Sequence, residues 1–200
     1  MKSLHELGLE YNTDKATSHA YTKDFYPDLL EHRRHTPVVL VEAGILKGHS
    51  LRMWSAYFDH PESELFGVDN WDKALTADVG RAKAIWCDLS LQTCLDDLEQ
   101  ALPPSLDIVI DDASHIPILQ QALWEKLWPK VSPGGVYVVE DLQVGFDDDY
   151  KGRFFRKDDL NQIDGWLSPI LKDMCIGRDV RNIRRITMGR KIIALQKDCV

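Results

Sequence analysis

The chain has no run of apolar residues approaching the roughly 18 to 20 that a membrane-spanning helix needs. Its opening residues, MKSLHELGLEYNTDK, hold no apolar stretch of the kind a secretory leader carries, so neither insertion nor export is expected. Cysteine is sparse. Cys87, Cys94, Cys175 and Cys199 form no C-x-x-C pair and no set with metal-ligand spacing, which reads as reduced thiols in a cytoplasmic protein. Internal repeats and low-complexity tracts are missing. Positive charge is also short: 24 Lys+Arg against 32 Asp+Glu leave a formal charge of −8, which argues against a polyanionic partner such as nucleic acid. The shortage is uneven. Residues 151–200 carry 12 basic and 6 acidic residues, whereas the first 150 carry 12 and 26. That basic tail, with Arg178, Arg181, Arg184, Arg185, Arg190 and Lys191, reads either as solvated faces of terminal strands or as a patch for RNA or another anionic partner.

What is present suits one well-buried core: 200 residues, 44% hydrophobic and 28% charged, indicate a single domain over 1–200. Residues 1–36 are polar and aromatic, with helical pieces expected at Ser3–Leu9 and Phe25–Arg34. VVLVEAG (38–44), ELFGVD (64–69), AIWCD (84–88), LDIVIDD (106–112) and VYVVED (136–141) read as buried strands. Helices are expected over 48–58, near Ala77–Lys83, over 91–102 and from Ile116 to Trp128, where Pro129 stops the last. SPGG (132–135) reads as a turn. Five apolar strands alternating with helices predict βα units and a parallel sheet. After a loop-like stretch, a helix is expected over Asp159–Asp173. Strands at 180–188 and 191–197, split by Gly189-Arg190, predict a closing antiparallel hairpin.

Ligands of open α/β sheets bind beyond the carboxyl ends of the strands, and here those ends carry acids. Glu42 precedes Gly44 and Gly48, whose G-x-x-x-G spacing departs from the G-x-G-x-x-G of a dinucleotide fingerprint, so a phosphate cradle is poorly supported. Asp69 closes the second strand, where a carboxylate can accept both hydroxyls of a ribose; a surface-turn acid is the alternative. Asp88 could meet an adenine amino group. Together Glu42, Asp69 and Asp88 form an acidic rim that repels pyrophosphate and suits a ligand with sulfonium and ammonium groups, S-adenosyl-L-methionine.

The order of these elements resembles the class I S-adenosylmethionine-dependent methyltransferases, and more narrowly the metal-dependent macrolide-sugar O-methyltransferases of mycinamicin type. The matching pieces are YNTDKATSHAYT (11–22), GHSLRMW (48–54), GVDNWDK (67–73), CDLS (87–90), IDDASH (110–115) and PGGVYVVEDLQ (133–143). The resemblance implies a Rossmann-like α/β fold, a largely parallel seven-stranded sheet with a C-terminal antiparallel hairpin. It also implies that residues 1–36 cap the cofactor, with Thr13, Lys15 and Tyr21 meeting its amino-acid end. Gly44, Ser50, Asn70 and Asp111 join Glu42, Asp69 and Asp88 as cofactor contacts. Asp112, Glu140 and Asp141 are the implied Mg2+ ligands. A solvated tail is the alternative for the N-terminal segment, which is too polar for a core element. Helix capping or pairing with the basic tail is the alternative for the acids.

Three carboxylates suit a hard divalent cation. Strand geometry would point Glu140 and Asp141 to opposite faces, so both reach one ion only if the strand has already ended. Mg2+ would favour the alkoxide of an acceptor hydroxyl, with His115 or Asp112 as the base; a helix cap partner is the alternative for His115. Residues 143–160, with Phe146, Tyr150, Phe154 and Phe155, are expected to form a lid, or else to pack beneath the last helix. The expectation is an O-methyltransferase acting on a sugar or other glycosylated small molecule, cytoplasmic and possible as a homo-oligomer. An oxygenase resembling the cephalosporin hydroxylases and a non-catalytic cofactor-binding module stand as rivals. A nucleic-acid enzyme is disfavoured, since the Asp/Asn-Pro-Pro-aromatic signature of amino-directed methyltransferases is missing.

Overall fold

Ser3 starts the first helix by exchange with Glu6. The Ser3 hydroxyl accepts from the Glu6 amide at 3.2 Å, and the Glu6 carboxylate accepts from the Ser3 amide at 2.7 Å. This capping box satisfies amides that a helix start leaves unpaired and sets α1 at Leu4–Glu10. The computed structural model describes residues 1–147 and 160–199. These fall into two compact units, Met1–Asp88 and Leu89–Val200.

In the first unit α1 is followed by three short helices, α2 (Asp14–Thr17), α3 (Tyr21–Asp24) and α4 (Tyr26–Leu30), and a 3-10 turn at Glu31–Arg33. Then come β1 (Val39–Ala43), α5 (His49–Tyr57), β2 (Glu64–Asp69), α6 (Asp72–Leu75) and β3 (Lys83–Trp86). These strands are parallel, with Val41 opposite Phe66 and Phe66 opposite Lys83. Leu40, Val41, Leu65 and Val68 are buried, each contributing about 1.5 to 3 kcal/mol of apolar burial. Tyr26, Trp54, Tyr57 and Phe58 pack as an aromatic cluster with centroids 5.0 to 6.3 Å apart.

The second unit holds α7 (Gln92–Ala101), β4 (Leu106–Asp111), α8 (Pro117–Leu127) and β5 (Val131–Val139). A 3-10 turn at Leu142–Phe146 and a π-type turn at Ile163–Leu167 precede α9 (Ser168–Cys175), β6 (Ile183–Gly189) and β7 (Ile192–Lys197). β4 and β5 run parallel with Ile110 opposite Val138; β5 meets β7, and β7 meets β6, antiparallel. The strand order is β3-β2-β1-β4-β5-β7-β6, a largely parallel seven-stranded sheet with the expected antiparallel C-terminal hairpin.

Four expectations need correction. The helix expected near Ala77–Lys83 is absent, and α6 lies upstream. Asp78 Oδ1 accepts the Gly80 amide at 3.0 Å and Gly80 has φ +65°, so this stretch turns instead of coiling. The SPGG stretch lies inside β5, where a register shift against β4 absorbs the extra residues. The last helix begins only at Ile163, and Gly165, with ψ −116°, interrupts it before α9. The polar segment after α1 is neither a solvated tail nor excluded from the interior: Thr13, Lys15, Tyr21 and Thr22 are buried. Of the expected lid, residues 148–159, including Tyr150, Phe154 and Phe155, lie outside the described residues, while Phe146 is exposed. No helix among the described residues is long and apolar enough to cross a membrane.

Candidate functional site

In the first unit, side chains expected to meet the cofactor lie at the carboxyl ends of β1 and β2. Glu42, near the end of β1, is fully buried, and its Oε1 lies 3.2 Å from Lys15 Nζ. Glu42 also accepts from the Ser50 hydroxyl at 2.7 Å and from the Trp54 indole at 3.5 Å. Lys15 and Glu42 are at most 1% exposed, so their charges are compensated within the fold and not by water. Thr13 donates to Asp14 at 3.4 Å, and Tyr21 stacks on His19 at 5.1 Å between centroids.

Asp69, at the end of β2, accepts the Ile45 and Leu46 amides at 2.9 and 3.1 Å on one oxygen and the Trp71 amide at 2.9 Å on the other. Its carboxylate therefore shapes the turn after β1. Gly44 and Gly48 hold φ +88° and +74°, and a Cβ at position 48 would sit 2.4 Å from the Asp78 carbonyl oxygen. Glycine is required there on both counts. Asn70 is exposed and its carbonyl accepts the Trp86 indole at 3.1 Å; Asp88 is half-buried.

In the second unit the acids follow β4 and β5. Asp111 ends β4 with no exposed surface. Burial pushes its carboxyl up to about 7, against the Ala113 amide and the Tyr137 hydroxyl donating at 3.4 Å, while the Asp112 charge adds to the rise. Burial and Asp111 push the Tyr137 hydroxyl well above its ordinary range.

Asp112, His115 and Asp141 each bring one ligand atom within 4.8 Å of the others. Opposite ligands of an octahedral Mg2+ stand about 4.2 Å apart, so the set is near the size a cation needs. His115 Nε2 and Asp141 Oδ2 are 4.0 Å apart, too far for a hydrogen bond. Among the described residues, His115 Nδ1 and Gln143 Oε1 are buried without a partner. Two carboxylates and one imidazole are a donor set that a divalent cation accepts.

Both turns are held in unusual backbone, with φ +56° at His115 and at Asp141. The expected condition for Asp141 is met, since β5 ends at Val139. Glu140 is 2% exposed with its amide on the Asp111 carbonyl at 3.0 Å, and it does not join the cluster. His115 does, having been read from the sequence as base or cap partner. The cap reading fails, because Ser114 accepts the Ile116 amide at 3.3 Å and α8 has no histidine cap. Sequence reasoning passed over Gln120, Gln143 and Gln162. Gln120 carried a signal: four residues after Ile116 and three before Leu123, it lies on the apolar face of α8 and is 1% exposed. Gln143 and Gln162 carried none.

A family model described as a methyltransferase domain matches residues 41–142. The chain is 34% identical over 175 residues to 8-demethyl-8-alpha-L-rhamnosyl tetracenomycin-C 2'-O-methyltransferase of Streptomyces olivaceus, covering 84% of this chain and 44% of that protein. It is 32% identical over 150 residues to mycinamicin VI 2''-O-methyltransferase of Micromonospora griseorubida, covering 72% and 37%. The solved MycE methyltransferase from the mycinamycin biosynthetic pathway, in complex with Mg and SAH, superposes with a TM-score of 0.82 at 26% identity, over 98% of this chain and 55% of that one. The chain thus spans less than half the length of these two curated relatives. The family match runs from β1 to the residue after Asp141 and takes in both acid-bearing turns, and on that match the chain belongs to the methyltransferase-domain family.

Proposed function

We propose that the protein is a Mg2+-dependent S-adenosylmethionine O-methyltransferase acting on a hydroxyl of a sugar or a glycosylated small molecule. The Asp112–His115–Asp141 cluster carries this reading, supported by the sugar O-methyltransferase names of the relatives and by the Mg and SAH in the MycE complex. Asp112 and Asp141 are the proposed metal ligands; Glu140 adjoins Asp141 in the chain but stands outside the cluster. A cation held there would lower the pKa of an acceptor hydroxyl. His115 takes the hydroxyl proton at Nε2, with Asp112 as the alternative base. The oxygen attacks the sulfonium methyl in line: the O–C bond forms, the C–S bond breaks, and S-adenosylhomocysteine leaves with the sulfur electron pair.

The donor is assigned to the first unit. Lys15 and Glu42 place an ammonium beside a carboxylate, complementary to the zwitterionic amino-acid end, with Thr13, Tyr21, Gly44 and Ser50 around it. Asp69 and Asn70 are assigned to the ribose and Asp88 to the adenine.

The test is S-adenosylhomocysteine release by the full chain against a panel of glycosides. Turnover should require Mg2+, stop with chelator, and vanish in Asp112→Ala. Turnover indifferent to chelator would overturn the proposal. The imidazole within the cluster favours a second reading, because Fe2+ accepts such mixed ligands more readily than Mg2+ does. Iron-dependent oxygen consumption without S-adenosylhomocysteine would select that oxygenase reading.

A further inference from the structure

Gln162 has no exposed surface, yet its side-chain amide spans two of the turns described above. Its Nε2 donates to Gln120 Oε1 on α8 at 2.6 Å and to the main-chain oxygen of His115 at 3.3 Å. On its other side lies Gly145, in the turn that follows Asp141. A Cβ at position 145 would sit 2.1 Å from Gln162 Oε1 and 3.1 Å from Asn161 Cβ. Gly145 does not have a positive φ, so its backbone does not demand glycine. The space does.

Displacing the far end of a flexible side chain is ordinarily cheap. Here the amide is buried and tied at its nitrogen to two acceptors, so swinging away forfeits both bonds. The backbone presenting it is also fixed: Asn161 Oδ1 accepts the Ile163 and Asp164 amides at 2.9 and 3.0 Å, and its Nδ2 donates to Asp164 at 2.7 Å. Gln162 Oε1 and Gln120 Nε2 are themselves buried without partners among the described residues. An apolar side chain of that length would avoid the cost, about 1 to 3 kcal/mol per atom, so packing alone does not account for a glutamine. Meanwhile His115 and Asp141 both hold left-handed backbone, which costs a non-glycine residue roughly 1 to 2 kcal/mol and persists only where neighbours enforce it.

We propose that Gln162 is a positioning residue, a strut that sets the spacing between the turn bearing Asp112 and His115 and the turn opening at Asp141, and that Gly145 is glycine to admit it. The proposal rests on reading that cluster as a metal site. Mn2+ alone is the probe, titrated calorimetrically into the full chain. The parent should bind it. Gln162→Ala and Gly145→Ala should each weaken Mn2+ about tenfold or more in protein that remains folded by circular dichroism. The Gln162→Ala/Gly145→Ala double variant should be no weaker than Gln162→Ala, because the added methyl occupies the vacated space. Gln162→Glu, similar in shape but without the N–H donors, should weaken Mn2+ similarly, and with Gly145→Ala it decides the matter should Gln162→Ala fail to fold. Additive losses overturn the strut, as do lower melting temperatures with unchanged Mn2+ affinity; both leave the metal reading standing. A parent chain that binds no Mn2+ overturns the metal reading and the strut with it.

Discussion

Lys15 shows how a polar stretch can belong in a core. NTDKATSHAYT reads as surface because it is hydrophilic, and sequence alone does not reveal that Glu42, 27 residues on, would meet it at 3.2 Å in a dry setting. Removing one partner of such a pair leaves an uncompensated buried charge. Lys15→Ala should therefore cost about 3 kcal/mol or more in urea unfolding, and Lys15→Ala/Glu42→Gln should recover part of it. Asp111 gives a prediction in pH. Its ordinary value of 3.8 rises to about 7 in the fold. Across that window the unfolded chain has released this proton and the folded chain keeps it, so this group's contribution to stability falls as pH rises and levels off above about 7. The loss is on the order of 4 kcal/mol. With chelator present, Asp111→Asn should remove that slope, and urea melts at pH 4.5 and pH 8 would show it; an unchanged slope would place the buried charge elsewhere.

The turns after the strands, more than the strands themselves, decide what the carboxylates can do. β2 and β4 lie within a residue of where apolar patterning puts them, because buried parallel strands are short hydrophobic runs closed by polar residues. The turns were less legible. Asp69 was read as a ribose ligand or a surface-turn acid, and its oxygens hold the Ile45, Leu46 and Trp71 amides. A carboxylate shaping its own neighbouring loop leaves no periodicity to detect. Asp69→Ala should lose about 1 to 3 kcal/mol of stability through those amides. It should also raise the KM for S-adenosylmethionine severalfold, while kcat at saturation changes little. A variant with full stability and normal KM would remove Asp69 from both roles. At β5, alternation predicted opposite directions for Glu140 and Asp141. The strand's end at Val139 and the left-handed Asp141 are tertiary outcomes that residue order did not disclose.

The molecule as a whole was legible as an α/β chain with a closing hairpin, and the acids of its strand ends were legible as a site. That Asp112 and Asp141 share one point was read from the family resemblance; that His115 joins them and Glu140 does not depends on two separate turns converging, which residue order did not disclose. Both turns lie in the second unit, and the assigned donor residues lie in the first, so the two functions should separate under mutation. Asp141→Ala should abolish turnover and weaken Mg2+ at least tenfold while leaving S-adenosylhomocysteine affinity within about twofold; equal losses of both would contradict the division of roles. The most direct test is anomalous diffraction from crystals of the full chain soaked in Mn2+ with S-adenosylhomocysteine. One manganese peak within coordination distance of Asp112 and Asp141 is the predicted result. Manganese bound elsewhere, with those two carboxylates turned apart, would contradict it.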